Sequence, residues 1–397
     1  MPADSKREVG RRIAATRHAR RMTQADLART AYLSLAMIKG IERGVRAPSD
    51  DSLESIAAAL GVDPGRLATG DAMALSRIHT AIPAIAACIA AYDIPMDAPR
   101  RTLVELHAAT DEAVNWRLAA QYTRIARAAP ALLDDALRSL HHATGPDRQQ
   151  AARLVVGIAR AADAVAYKYG HHDLSARLIE LMRWAARQTE DPLVEASTAY
   201  VRTEVFFAAR AHAPGLRALE QAIHVSPSPT STEAHAALGA LHMRAAVIAG
   251  RASDADAADT HLTEARRLSR DVPEGQYQGT AFGPDSVRIH EVSVAVSLGS
   301  DHVSRALGVA DEWAPPRCLP AERQSSFWIE LARAQLWAGL PDDAWESLQV
   351  ARLVAPQHTR GHRWARETAA TLRRLRRGGA EELTAFAEWI GAVQSPG

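Results

Sequence analysis

The first seventy residues break into short amphipathic stretches that are separated by capping residues and turns. Thr23, Ser34 and the Asp63-Pro64 pair are typical of helix starts, and Gly44 is placed to end a helix. Between them, apolar residues recur at spacings of three and four, which predicts helices rather than strands. The pattern predicts five helices, over residues 8–20, 24–30, 35–42, 51–60 and 63–67.

From about residue 101, the pattern becomes a series of alanine-rich apolar helices broken by Gly, Pro, Asp and Ser. In residues 325–358, small residues recur where paired helices approach, a large residue fills the gap between them, and a proline closes the second helix. This 34-residue period is the tetratricopeptide (TPR) pattern. The matching residues are Trp328, Leu331, Ala332, Gly339, Ala344, Leu348, Ala351 and Pro356.

Weaker units of similar length precede and follow this repeat. They cover residues 103–143, 153–189, 192–225, 239–272, 285–318 and 359–394. The sequence therefore predicts an all-α fold, in which a five-helix N-terminal domain precedes a TPR-like α-solenoid of five to seven hairpins. Such a stack has an extended concave face that binds partners.

The same changes of pattern divide the chain into three parts. Residues 1–68 form the N-terminal domain, residues 69–100 a helical linker, and residues 101–397 the repeat domain. The linker is apolar over residues 78–91, and its helix is interpreted as a connector or a dimer element.

Composition and charge indicate the cellular compartment and the kind of binding partner. The chain is 47% hydrophobic, has no apolar run of ~18 residues and no signal-like N-terminus, so a cytoplasmic protein is expected. Two distant cysteines, Cys88 and Cys318, fit a reducing compartment. Residues 1–48 hold eleven Lys or Arg against four Asp or Glu, a charge of +7 within a chain of net +1. This basic segment indicates a polyanionic partner for the N-terminal domain.

The segment MTQADLARTAYLSLAMIKGIERGVRAPSDDSLESIAAALGV resembles the phage-repressor (Xre/Cro) helix-turn-helix family. The resemblance covers residues 9–68, and one position departs from it. Tyr32 stands in the turn where the family usually has glycine, and a tyrosine at positive φ costs on the order of 1 kcal/mol. The residues that carry the resemblance are Thr23-Gln24, Leu27-Ala28, Ser34, Ile38, Ile41 to Gly44, Pro48, Leu53, Ile56-Ala57 and Leu60-Gly61.

The resemblance implies that residues 34–43 form a recognition helix in the major groove of double-stranded DNA. Lys39 is the long donor that can reach a guanine or a phosphate, and Leu35 and Ala36 can touch thymine methyl groups. Gln24 occupies the position that usually contacts a phosphate. The implied DNA-binding residues are Gln24, Ser34, Leu35, Ala36, Lys39, Arg43 and Arg46. The alternative is that they are solvated surface residues of a domain that binds protein.

The sequence contains no constellation typical of catalysis. His141-His142 and His171-His172 lack the helical i,i+4 spacing and the cysteines of a metal site, so they are interpreted as solvated residues. Signatures of nucleophile elbows, phosphate-binding loops and dinucleotide-binding turns are also missing in a suitable context. We therefore predict a protein that is not an enzyme and that uses neither a cofactor nor a metal.

The first helix of each hairpin is expected to line the concave face. Arg333 beside Trp337 could hold a carboxylate and an apolar tail together, although a tryptophan near a repeat turn more often serves packing. The candidate effector-binding residues are Arg160, Tyr167, Tyr200, Glu204, Met243, Arg333 and Trp337, with Asp163, Arg202 and Val247 at comparable positions.

A repressor-like domain on a TPR-like body resembles the peptide-sensing quorum receptors of bacteria. The resemblance implies a homodimer that binds a palindromic operator and responds to a small effector, peptide or metabolite. The chain departs from these receptors in having one asparagine, Asn115, where they use several to clamp a peptide. The alternative is a TPR scaffold that binds another protein and is tethered to DNA by the N-terminal domain. An antitoxin-like autoregulator is a third reading, which the long body disfavours.

Overall fold

The computed structural model describes residues 3–60, 62, 67, 71–94, 97–375 and 381–392. The described chain is all-α apart from one two-stranded hairpin, which confirms the predicted fold class. The elements are α1 (Ala3–Ala19), α2 (Gln24–Thr30), α3 (Leu35–Glu42), α4 (Asp50–Leu60), α5 (Asp71–Ala90), α6 (Leu103–Leu118), α7 (Tyr122–His142), α8 (Gly145–Lys168), α9 (His172–Ala186), α10 (Pro192–Ala208), α11 (His212–Val225), α12 (Thr232–Arg251), α13 (Ala255–Ser269), β1 (Gly275–Tyr277), β2 (Thr280–Phe282), α14 (Pro284–Leu298), α15 (Val303–Glu312), α16 (Ala321–Trp337), α17 (Pro341–Val354), α18 (Pro356–Gly361), α19 (Arg363–Leu375) and α20 (Glu381–Ile390).

Helices α1 to α4 form the N-terminal domain around a small apolar core. Thr23 starts α2 with a reciprocal capping box: its Oγ1 accepts from the Asp26 backbone N–H, and the Asp26 carboxylate accepts from the Thr23 backbone N–H. Ile13, Leu27, Ile38 and further apolar residues of the four helices are buried together. Most of the fifth predicted helix, residues 63–67, lies outside the described residues.

Helix α5 occupies most of the segment that was predicted as a linker, and it packs against the body. Ile78, Ile85 and Ile89 are buried in the same apolar core as α7, α8 and α9. This helix therefore covers the first hairpins of the repeat domain.

The body is built from six consecutive helical hairpins, α6–α7, α8–α9, α10–α11, α12–α13, α14–α15 and α16–α17, followed by α18 to α20. The first helices of successive hairpins contact one another, which makes them the inner layer of the stack. In the hairpin α16–α17, Ala332, Ala344 and Ala351 are buried as the repeat pattern predicts, and Gly339 turns the chain at φ 76°.

The β1–β2 hairpin joins α13 to α14 and was not predicted. Its turn residues Gln278 and Gly279 have φ values of 46° and 72°, the left-handed pair that a tight two-residue hairpin turn requires. Phe282 anchors the hairpin on α12, where Gly239 leaves room for its ring. A Cβ at Gly239 would lie 2.0 Å from Phe282 Cζ.

The two ends of the stack meet, so the inner surface is not an open concave face. Helix α16 contacts α6, and Lys168 Nζ of α8 lies 3.0 Å from Glu322 Oε1 of α16. Lys168 Nζ also donates to His358 Nε2 (2.9 Å), and the Thr123 backbone N–H donates to Gln357 Oε1 (3.2 Å). The predicted extended face is thus closed into an interior bounded by the inner helices.

Candidate functional site

One face of α3 is exposed and points outward. Leu35, Ala36 and Lys39 are exposed on it, and Arg43 and Arg46 continue the exposed basic surface beyond its end. Ile38 and Ile41 on the other side are fully buried and hold the helix in place. The arrangement presents a short apolar and cationic face of the size that enters a major groove.

The two remaining residues of the predicted DNA-binding set have structural partners. Ser34 caps α3, because its Oγ accepts from the Met37 backbone N–H (3.1 Å). Gln24 donates from Nε2 to Glu42 Oε2 (2.7 Å) and is half-buried. Gln24 therefore starts α2 while its amide is held against the end of α3.

Glu42 is the centre of a network that the sequence analysis did not identify. Arg17 of α1 donates from Nε and Nη2 to the two carboxylate oxygens of Glu42, at 2.7 and 2.9 Å. Burial opposes ionisation of Glu42, but the hydrogen bonds from Arg17 and Gln24 outweigh it and lower its pKa. The network ties α1, α2 and α3 together behind the exposed face.

Tyr32 lies in the turn between α2 and α3 with φ 55°, and its side chain is 95% exposed. The backbone of the turn therefore keeps the left-handed conformation that a glycine would adopt freely. The strain that was predicted from the sequence is present at this residue.

The interior of the body contains a polar cavity that every inner helix from α6 to α16 helps to line. Its water-accessible space is roughly 190 Å³. Four of the predicted effector-binding residues meet there: Arg160 and Tyr167 from α8, and Tyr200 and Glu204 from α10. Asp163 and Val247 also line it.

The other three candidates lie elsewhere. Met243 is fully buried in the apolar core, because its position on α12 faces the neighbouring helices instead of the cavity. Arg333 lies over the rings of Trp337 and Trp364, at 4.9 and 4.8 Å from their centroids, and pairs with Glu367 at 3.1 Å. The structure therefore does not bring Met243, Arg333 or Trp337 into this cavity.

Four of the five cavity arginines were missed by the sequence analysis: Arg117 on α6, Arg244 and Arg251 on α12, and Arg323 on α16. Arg244 donates from Nε to Thr203 Oγ1 (2.7 Å), and its Nη2 lies 3.4 Å from Glu204 Oε1. The spacing of seven residues between Arg244 and Arg251 puts both on one face of α12. That spacing was the available signal.

Two of the cavity arginines bind the tip of the β1–β2 hairpin. Arg160 donates to the Gln278 carbonyl oxygen (2.7 Å) and to Thr280 Oγ1 (2.6 Å). Arg117 of α6 donates to the Gly279 carbonyl oxygen (2.5 Å). The turn thus closes one side of the cavity with backbone acceptors. Burial, and then the nearby charge of Arg117, lower the pKa of Arg160 to about 9.

The environment shifts the pKa values of the cavity carboxyl groups in different directions. Burial and the neighbouring charge of Glu204 raise the pKa of Asp163 well above its ordinary value. Burial also raises the pKa of Glu330 to about 7. For Glu322, burial acts in the same direction, but the charge of Lys168 and other basic neighbours outweighs it and lowers the pKa.

A second, larger hollow of roughly 590 Å³ adjoins the polar cavity, and the two share Tyr167, Lys168, Phe207, Arg251 and His362 in their walls. No described carboxylate lines this outer hollow. Its remaining charged lining residues are Arg210, Arg360, Arg363 and Arg366.

The histidines that were weighed as metal ligands have other contacts. His141 Nε2 lies 2.8 Å from the Tyr92 carbonyl oxygen, and His171 Nε2 lies 3.1 Å from His79 Nδ1. In the part of the chain that the structure describes, no group of three or more His, Cys, Asp or Glu residues could hold a metal ion. Within the described residues, no helix has both the length and the apolar character that a membrane span requires.

The capped pair α2–α3, the buried anchor residues and the exposed face of α3 define a helix-turn-helix domain. The family comparison agrees, since residues 13–67 match the Helix-turn-helix family. The N-terminal part of the chain is therefore an Xre-type helix-turn-helix domain.

No curated protein matches the chain. Among solved structures, Bacillus thuringiensis PlcR in complex with the peptide PapR7 and DNA matches at 16% identity and a TM-score of 0.28, over 66% of this chain and 94% of PlcR. The apo form of the competence regulator ComR from Streptococcus vestibularis matches at 13% identity and a TM-score of 0.29, over 94% of this chain and 98% of ComR. The PrgX/iCF10 complex matches at 10% identity and a TM-score of 0.27, over 96% of this chain and 95% of PrgX.

Proposed function

We propose that this protein is a cytoplasmic, dimeric transcription regulator, without catalytic activity, that binds a palindromic operator and responds to a small effector, peptide or metabolite. The observation that carries the proposal is the exposed face of α3, with Lys39, Arg43 and Arg46, on an N-terminal segment of charge +7. A basic, groove-sized helix face on a helix-turn-helix domain favours double-stranded DNA as the partner.

Dimerisation is proposed on energetic grounds. A single helix-turn-helix domain contacts few base pairs, whereas two domains related by a two-fold axis add the energies of two half-sites. The operator is therefore expected to be palindromic, with half-sites about one helical turn apart, or a multiple of that distance.

The cavity of the body supports the effector part of the proposal. Its walls come from six inner helices and the β1–β2 hairpin, so a ligand there would contact every hairpin from α6 to α17. A change in the curvature of this stack would alter the separation of the two DNA-binding domains, which couples the two sites. Because the cavity lies among the inner helices and has a water-accessible space of only roughly 190 Å³, it favours a small effector over the protein partner of the scaffold alternative.

The test is to select duplexes from a random pool with the full chain and to measure affinity for the selected sequence. We expect the selected sequence to be two-fold symmetric and the complex to contain two chains per duplex. The logarithm of affinity should fall linearly with the logarithm of salt concentration, by about 0.9 for each phosphate contact. Failure to enrich any duplex at low salt would contradict the proposal, and a complex containing one chain per duplex would contradict its dimeric part.

A further inference from the structure

The polar cavity holds more positive charge than its own carboxylates neutralise. Six basic residues line it, against four acidic ones. Among the described residues, two of the six are paired within 4.0 Å: Lys168 with Glu322, and Arg244 with Glu204. The other four form no such ion pair. They are Arg117, Arg160, Arg251 and Arg323.

The remaining two acids do not supply the missing charge. Asp163 is buried on α8 and accepts a hydrogen bond from Ser175 Oγ (2.6 Å), and burial together with the charge of Glu204 raises its pKa, which disfavours its charged form. Glu330 accepts a hydrogen bond from Ser293 Oγ, and burial raises its pKa to about 7. Uncompensated charges in a protein interior cost several kcal/mol each unless an opposite charge or hydrogen-bond acceptors surround them.

Three of the four unpaired guanidinium groups find neutral acceptors. Arg117 and Arg160 donate to the hairpin tip, and Arg323 donates from Nη2 to the hydroxyl oxygen of Tyr200 (2.8 Å). Arg251 differs from them. Its Nε is buried and has no hydrogen-bond partner among the described residues, and its guanidinium carbon lies 4.2 Å from the ring centroid of Phe207 and 5.2 Å from that of Trp364.

Arg251 also lies where the two hollows meet, because it lines both. A guanidinium group whose faces contact aromatic rings offers its N–H groups in its own plane, which suits the paired oxygens of a carboxylate or phosphate. The basic lining of the outer hollow would attract such an anion toward it.

We propose that the effector of this protein carries an oxyanion, a carboxylate or a phosphate, which Arg251 binds at the junction of the two hollows. An apolar part of the same ligand packs against Phe207 and Trp364. This inference rests on the proposed function, since it names the chemical class of the effector in the same cavity.

The test uses sodium citrate and inorganic phosphate as probes on the full chain, with ionic strength held constant by sodium chloride. We expect citrate, phosphate or both to raise the melting temperature above the chloride reference, by a few degrees at saturation. The stronger probe assigns the oxyanion as a carboxylate or a phosphate. A melting temperature that neither probe raises above chloride would overturn the proposal.

Arg251→Gln should weaken the affinity for the effective probe by about tenfold or more, measured by calorimetry. Arg288→Gln is the matched control, because Arg288 also lies over an aromatic ring, that of Trp313 at 5.8 Å, but outside both hollows. Its affinity should equal that of the native chain. Equal affinities in the Arg251 variant and the native chain would overturn the proposal.

A folding defect can be distinguished from the loss of a binding group. In buffer without either probe, Arg251→Gln should melt no lower than Arg288→Gln, because it removes an uncompensated charge. If Arg251→Gln instead melts lower, probe binding is measured on Arg251→Lys, which keeps the positive charge. Weakened probe binding in a lysine variant that melts as the native chain does supports the proposal, and native affinity in that variant overturns it.

The outcome is separable from that of the proposed function. Probe binding without any DNA binding would leave the anion site standing and contradict the regulator. DNA binding without any probe binding would support the regulator and contradict the anion site.

Discussion

Arg17 and Glu42, which are 25 residues apart in the sequence, form a two-pronged ion pair whose side chains are only 6% and 5% exposed. Arg17 Nη1 also donates to the Met22 carbonyl oxygen (2.8 Å), and Gln24 completes the shell around Glu42. The pair fixes the end of the proposed recognition helix to α1. The position of the DNA-binding face therefore depends on two residues that do not lie on it.

Substituting Arg17 by Met should destabilise the N-terminal domain strongly. Removing one partner leaves the other charge buried and unpaired, which typically costs about 3–5 kcal/mol. Chemical denaturation followed by circular dichroism measures the loss. Arg11→Met is the control, because Arg11 pairs with Glu8 on the surface, where such a pair contributes about 0–1 kcal/mol. Similar losses in both variants would contradict the structural role of the buried pair.

Tyr32→Gly should stabilise the domain. A tyrosine at φ 55° bears a strain of about 1–2 kcal/mol that glycine avoids, and the greater freedom of glycine in the unfolded chain offsets about half of it. The expected gain is thus about 0.5–1 kcal/mol in the free energy of unfolding. Tyr32→Ala, which keeps a Cβ, should give no gain. A gain from alanine equal to that from glycine would show that the exposed ring, rather than the backbone, causes the strain.

Lys39→Ala should weaken binding to the selected duplex by about tenfold, or ~1.4 kcal/mol, which lies within the 1–3 kcal/mol typical of a lost base contact. Fluorescence anisotropy on the selected sequence and on single-base variants measures the effect. A base contact predicts relaxed preference at one position, and a phosphate contact predicts an equal loss on all sequences. Lys6→Ala, a change of the same charge on α1, is the control, and unchanged affinity for Lys39→Ala would remove this residue from the proposed role.

Glu330→Gln should make the stability of the chain less dependent on pH. Because the folded pKa of Glu330, about 7, lies above its ordinary value of 4.5, the native chain loses stability as pH rises from 4.5 to 7. Ser293, Arg251, Arg323 and Lys168 are the groups that act on it. The variant lacks this loss, so its stability relative to the native chain should rise across that window.

Glu322→Gln should change the stability of the chain in the opposite direction. The folded pKa of Glu322 is lowered, so its contribution is complete above pH 4.5 and is lost as pH falls through the folded value. This variant should therefore be less stable than the native chain at neutral pH. Thermal melts of both variants from pH 4 to 8 would test the assignment, and parallel curves for the two would contradict it.

Gly239→Ala should destabilise the body by about 1–3 kcal/mol, because the added methyl group overlaps the buried ring of Phe282. Gly308→Ala is the matched control. Its position inside α15 is exposed with open space around it, and alanine there should stabilise the helix by up to about 1 kcal/mol. Denaturant titrations should separate the two variants in sign, and a stabilised Gly239 variant would contradict the packing of the hairpin.

The elements that were predicted correctly are those with local causes. Thr23 and Ser34 start helices through hydrogen bonds to residues three positions away, and the small residues of α16–α17 repeat within one hairpin. Both signals are contained in a few tens of residues. The same locality placed Arg160 and Tyr200 on inward faces of their helices, where the structure brings them together.

What was missed depends on distant parts of the chain. The strands β1 and β2 have three residues each and exist because α12 and two arginines hold them, which no local pattern reveals. On α12, Met243 was chosen where Arg244 lines the cavity, and one residue turns a helix by about 100°. The pairing of Arg17 with Glu42 likewise needs the packing of α1 on α3 to be known.

The closure of the repeat stack through Lys168, Glu322 and Gln357 has a thermodynamic consequence. In an open array each repeat touches only its neighbours, so terminal repeats fray and unfolding proceeds in stages. Here α16 and α18 contact the first two hairpins directly, so neither end of the stack can detach without exposing the other. The body should consequently unfold in a single cooperative transition, because loss of the closing contacts leaves both ends of the stack unsupported.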